Sequence, residues 1–215
     1  MGKIKAVLFD MDGLMIDSEP LSLQAFNMVF RKYGKYLTED ESNKRYVGIS
    51  DKDASQDMIK RFDLPMSAEE LVLAKKDAYQ QILKTHQIIS QVGLFEILTN
   101  LHSSGYKIGI ASGSSLKEIE IVINGLQISQ LVDIYCSADE VENGKPAPDV
   151  YLLAAKKLGV SPADCLVLED APKGVQAAKS AGMICFAIPS NETKGLDFSQ
   201  ADKVLNSLAE VFNLL

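Results

Sequence analysis

The stretch Ile4-Lys5-Ala6-Val7-Leu8-Phe9-Asp10-Met11-Asp12-Gly13 joins an apolar run to two carboxylates one residue apart. The run reads as a buried β-strand. Side chains alternate faces along a strand, so Asp10 and Asp12 are expected to point the same way just beyond its C-terminal end. An open parallel α/β sheet keeps its binding crevice at that edge. Two anions held this close share a cation, or one of them keeps its proton. A second pair of the same spacing, Asp51-Lys52-Asp53, follows no apolar strand and reads as an ordinary helix start.

Outward from this stretch the chain falls into two patterns. From about 18 to 90 there is no strand signal. Helical periods run over 19–34 up to Gly34 and over 51–62, where Ala54, Met58 and Phe62 step by four. A third helix opens at the capping box Ser67-x-x-Glu70, with Leu71, Ala74, Ala78 and Ile82 on one face. From about 92 onward helices and strands alternate strictly: strands at 106–111, 132–136, 165–168, 183–187 and 203–205, helices between them, and a helix to the end. Alternation at this spacing predicts a Rossmann-like, doubly wound parallel sheet. The first strand is too apolar to stand outside that sheet. The expected organisation is therefore an α/β core of residues 1–16 and 88–215, interrupted by an all-helical cap of residues 17–87.

All strand C-terminal ends of a parallel sheet share one edge. There the second strand delivers Ser112-Gly113-Ser114-Ser115 directly into a helix, giving hydroxyls and free N–H groups suited to an anion. The loop after the third carries Gly144-Lys145-Pro146, and the fourth ends in Glu169-Asp170. Four acids, hydroxyls and one lysine gathered at one edge suit a hard, oxygen-ligated divalent cation, best Mg²⁺, with a phosphoryl group completing it. Neither G-x-x-x-x-G-K-[ST] nor G-x-G-x-x-G is present.

At 215 residues, 47% apolar and 24% charged, the chain has an ordinary globular composition. The formal net charge of −7 argues against sequence-independent nucleic-acid binding. No apolar stretch approaches the ~20 residues of a membrane span, so a cytoplasmic monomer without a membrane partner is expected. Cys136, Cys165 and Cys185 lie in or beside apolar runs and read as buried reduced thiols.

Taken together, Asp10-Met11-Asp12-Gly13, Ala111-Ser112-Gly113, Gly144-Lys145-Pro146 and Glu169-Asp170-Ala171-Pro172-Lys173-Gly174 resemble, in order and spacing, the haloacid dehalogenase superfamily. The resemblance is to its helical-cap phosphatase and β-phosphoglucomutase-like branch, with stretches similar to pseudouridine-5′-phosphatases and to 2-deoxyglucose-6-phosphate phosphatases. It implies a Mg²⁺-dependent phosphomonoester hydrolase acting on a small phosphorylated metabolite, a sugar phosphate or a nucleoside 5′-monophosphate. Asp10 would be the nucleophile and Asp12 the general acid, then base; Ser112 and Lys145 would hold the phosphoryl oxygens. Asp10, Asp12 through its backbone carbonyl, Glu169 and Asp170 would form the metal site. Gly113, Ser114, Gly48 and Asp51 join Ser112 and Lys145 as expected substrate-binding positions. A phosphomutase and a phosphate-ligand sensor on the same fold are the alternatives. Mutases of this branch carry a histidine and an arginine where this chain has Ser22 and Asp51.

Overall fold

A computed structural model describes residues 4–46 and 49–215, so Gly48, one of the expected substrate-binding positions, lies outside the described residues. In chain order the elements are β1 (Ala6–Phe9), α1 (Glu19–Phe30), α2 (Glu39–Arg45), α3 (Asp51–Phe62), α4 (Ala68–Thr85), α5 (Leu94–Ser103) and β2 (Lys107–Ser112). They continue with α6 (Leu116–Leu126), β3 (Ile134–Ser137), α7 (Asp149–Leu158), β4 (Cys165–Glu169), α8 (Pro172–Ser180), β5 (Ile184–Ala187) and β6 (Lys203–Val204). The chain divides into two compact units, Met1–Asp17 with Ile88–Leu215, and Ser18–Gln87.

The first unit is built on one parallel sheet in the order β3-β2-β1-β4-β5-β6. β1 is central, Val7 standing level with Ile108 on one side and Leu166 on the other. Its four residues are wholly buried, and Val7, Leu8 and Phe9 each contribute about 1.5–3 kcal/mol by leaving water. On one face Ala6, Leu8, Val167 and Cys185 pack with Tyr151, Ala154, Val175 and Ala178 of α7 and α8. Gly109 lets that layer close, since a Cβ there would lie 2.9 Å from both Leu8 and Ile134 side-chain carbons. The sheet matches the doubly wound expectation, and its C-terminal edge carries the acidic loops.

The C-terminal helix expected from the sequence is replaced by two short 3₁₀ turns, Leu208–Glu210 and Phe212–Leu214. Leu208 and Val211 are the buried pair, and a spacing of three suits a turn of about three residues better than an α-helix. The three cysteines are free and buried. Among the described residues no helix is long and apolar enough to cross a membrane.

The second unit is all helical. α1 stops at Phe30 and the chain tightens into a 3₁₀ turn, Arg31–Tyr33, before Gly34 closes it at φ 66°. Periodicity missed α2 because none of its residues is buried. Its one sequence signal is the capping box between Thr38 and Glu41. Phe30 and Phe62 meet with ring centroids 5.0 Å apart, and Met58, Leu71 and Ile82 are buried in the same unit. On α4 the buried residues are Leu71, Lys75, Ala78, Tyr79, Ile82 and Leu83, so a lysine replaces the expected Ala74.

Candidate active site

Asp10 is the first residue past β1. Its N–H continues the ladder by donating to the Leu168 carbonyl at 3.0 Å, and its side chain is buried at the sheet edge. Gly13 then turns the chain at φ 86°, a conformation open to glycine. A Cβ on Gly13 would stand 2.1 Å from Asp170 Oδ2, so the absence of a side chain is what lets the two loops touch. The Gln91 side-chain amide braces the turn by donating to the Gly13 carbonyl at 3.1 Å.

β2 ends at Ser112, which is fully buried. The Ser112 hydroxyl accepts the Ser114 N–H at 3.0 Å and reaches Asp12 Oδ2 at 3.3 Å, while the Ser114 hydroxyl donates to the same oxygen at 2.6 Å. The Ser137 hydroxyl donates to the Ser114 carbonyl at 2.6 Å, which fixes the loop from the neighbouring strand. Where a Cβ of Gly113 would stand there is open space, so nothing protein-borne crowds that point of the loop.

Lys145 carries the cation. Its Nζ bridges Asp10 Oδ1 at 2.5 Å and Glu169 Oε1 at 2.7 Å, and lies 4.7 Å from the centroid of the Tyr151 ring. Tyr151 donates its hydroxyl to Glu169 Oε1 at 2.6 Å; the other Glu169 oxygen accepts the N–H groups of Asp170 and Ala171. Sequence reasoning did not identify Tyr151, because on α7 it falls in a buried stripe that looks like core. Gly174, in the first turn of α8, makes the room: a Cβ there would lie 1.7 Å from Glu169 Oε1.

Asp10, Glu169 and Asp170 each bring a carboxylate oxygen within 4.8 Å of the others, and all three are buried. Burial raises the Asp10 pKa from 3.8 to about 8, with Lys145 pulling it down and Glu169 and Asp12 pushing it up. Burial likewise holds Asp170 well above the ordinary carboxylate range, reinforced by Asp10 and Glu169. Burial disfavours the Lys145 ammonium, but Asp10 and Glu169 outweigh it and raise its pKa. Fully ionised, the three acids would set three negative charges against one ammonium, so without a further cation Asp10 and Asp170 hold on to their protons. An oxygen-only, desolvated, under-neutralised set of this kind fits a hard divalent cation.

The structure thus brings together Asp10, Asp12, Ser112, Ser114, Lys145, Glu169 and Asp170. Asp51 belongs to the helical unit, where Lys75 Nζ meets its Oδ2 at 2.8 Å.

Comparison with known proteins places the chain in a family. The family described as haloacid dehalogenase-like hydrolase matches residues 7–188. A probable pseudouridine-5′-phosphatase of Drosophila melanogaster is 34% identical over 216 residues, covering 97% of this chain and 91% of the relative. A phosphorylated carbohydrates phosphatase of Thermotoga maritima is 33% identical over 184 residues, covering 84% of this chain and 82% of the relative. The crystal structure of CbbY from Rhodobacter sphaeroides in complex with phosphate superposes with a TM-score of 0.85 at 27% identity, covering 97% of this chain and 96% of that one.

Proposed function

The chain belongs to the haloacid dehalogenase-like hydrolase family as an enzyme of its phosphatase kind, and we propose that it is a Mg²⁺-dependent phosphomonoesterase working through an acyl phosphate on Asp10. The observation that carries this reading is the buried trio Asp10, Glu169 and Asp170, with Lys145 spanning Asp10 and Glu169. Asp10, Asp170, Glu169 and the Asp12 carbonyl would hold the ion, which when bound supplies the positive charge the trio lacks.

An Asp10 carboxylate oxygen attacks phosphorus, the bond to the ester oxygen breaks, and Asp12 gives that oxygen its proton. Asp12 then takes a proton from water, whose oxygen attacks the phosphorus carried by Asp10, and inorganic phosphate leaves with the carboxylate restored. Lys145 and the Ser112 hydroxyl hold the phosphoryl oxygens while charge moves across them. The Ser114 hydroxyl aims Asp12. In this reading Ser18–Gln87 acts as a cap that excludes water and selects the leaving group. Relatives named for pseudouridine phosphate and for phosphorylated carbohydrates favour a small sugar or nucleoside phosphate.

Phosphate release from a panel of sugar phosphates and nucleoside monophosphates, with Mg²⁺ and with chelator, tests the proposal. Release that needs the ion supports it; no release from any member with Mg²⁺ present contradicts it.

A further inference from the structure

The sequence contains two Asn-Gly pairs, Asn124-Gly125 and Asn143-Gly144, and the fold puts them in opposite circumstances. An asparagine side-chain amide is open to attack by the main-chain nitrogen that follows it, and a following glycine has no side chain to obstruct the approach. Two things oppose the attack: a regular helical backbone, and an N–H tied up in a hydrogen bond. Asn124-Gly125 has both. It lies within α6, where an interior N–H donates to the carbonyl four residues back, and a Cβ on Gly125 would stand 2.8 Å from Ile88 Cδ1. Asn143-Gly144 has neither. This pair is exposed in the irregular stretch ahead of α7, and a Cβ on Gly144 would meet open space. Among the described residues the Gly144 N–H has no hydrogen-bond partner. The Asn143 amide makes a loose contact, its Nδ2 donating to Asp149 Oδ1 at 3.4 Å.

We propose that Asn143 is a site of spontaneous deamidation, and that its conversion disables the loop carrying Lys145. The Gly144 nitrogen gives its proton to base and attacks Asn143 Cγ. The bond from Cγ to Nδ2 breaks, ammonia leaves with a proton taken from water, and a succinimide ring closes. Water then opens the ring at either carbonyl, to aspartate or to isoaspartate. The net change is amide plus water to carboxylic acid plus ammonia. A carboxylate thereby replaces the donor that met Asp149, setting like charge against like charge where an attraction stood. In the isoaspartyl form the main chain also gains a methylene just ahead of Lys145, whose Nζ bridges Asp10 and Glu169. Misplacing a positioning group by about 1 Å costs about a hundredfold in rate. That loss of rate rests on the phosphatase reading; the modification does not.

The test holds the full-length protein at mildly alkaline pH and reads peptide masses and phosphate release, with Mg²⁺, from the same samples. The peptide carrying Asn143 is expected to gain about 1 Da and to become a substrate for an isoaspartyl methyltransferase, while the peptide carrying Asn124 keeps its mass. Turnover is expected to fall in step with the isoaspartyl fraction, which retains about one-hundredth of the starting rate. Asn143→Gln, whose longer side chain must close a larger and slower ring, is expected to keep both mass and activity. Asn143→Ser replaces it if that variant does not fold. An unchanged mass at Asn143, or equal conversion at Asn124, overturns the site. Conversion without loss of turnover, or the same loss in Asn143→Gln, overturns the consequence for Lys145. Fresh protein that releases no phosphate from any ester overturns the phosphatase reading and that consequence with it, and the mass gain alone then decides the site.

Discussion

Gly174 stands against Glu169 so closely that a methyl group on it would overlap the carboxylate, 1.7 Å from Oε1. The glycine sits in the first turn of a helix, where alanine is intrinsically better by about 1 kcal/mol. Against that gain stand the Glu169 contacts to Lys145 and Tyr151, each charge-assisted and worth about 1.5–3 kcal/mol. The contacts win. Gly174→Ala is expected to destabilise the protein by about 2–4 kcal/mol in urea unfolding and to weaken Mg²⁺ binding in the same preparation. A stabilised variant with full activity would show that Glu169 can move aside freely.

Tyr151→Phe removes one donor to Glu169 Oε1 and leaves the ring beneath Lys145 in place. The carboxylate is fully buried, so the lost hydrogen bond is expected to cost about 1.5–3 kcal/mol in chemical denaturation. Mg²⁺ affinity falls with it, by about 10–100-fold, as for other groups that orient a metal ligand. An isothermal titration matching the unmutated protein would leave Tyr151 as packing alone.

Protons and the divalent cation compete for Asp10. Its pKa is raised from 3.8 to about 8, chiefly by burial, so between those values the native state holds a proton that the unfolded chain has released. Without the ion, this group's contribution to stability is therefore lost as pH rises through that window. Bound Mg²⁺ replaces the proton, and the increase in melting temperature that it produces is expected to be larger at about pH 8 than at about pH 6. Thermal melts at both pH values with and without Mg²⁺ check this. An equal or smaller increase at the higher pH contradicts it.

Burial pushes all three thiols up, Cys165 to about 11, and leaves none of the side chains open to solvent. Reaction with an aromatic disulfide reagent is expected to be slow in the native protein and to reach the full count of three after denaturation. Fast labelling of the folded chain would mean the sheet faces open readily.

Much of this was legible in the residues. The run ending in Asp10 announces a strand of the sheet because so apolar a stretch is stable only with both faces covered. Ser112, Lys145 and Glu169-Asp170 then follow from the alternation that brings strand ends to one edge. Tyr151, Gly174 and Lys75 did not show, because each depends on a partner distant in the chain. Tyr151 and Lys75 occupy helix stripes where spacing indicates core, and only the fold shows that Glu169 and Asp51 reach them. Gly174 lies within a matching segment, but its purpose is the approach of one carboxylate. α2 escaped because periodicity needs a buried face and this helix has none.

The most direct test of the central claim is phosphate release by Asp10→Asn beside the unmutated enzyme, with Mg²⁺ present. Asparagine matches the shape of the protonated acid that burial favours, so folding is expected to hold. Its amide cannot attack phosphorus. Turnover is expected to fall by at least about ten-thousandfold on every ester the unmutated enzyme accepts. Activity within about tenfold of the unmutated enzyme would contradict a covalent route through Asp10.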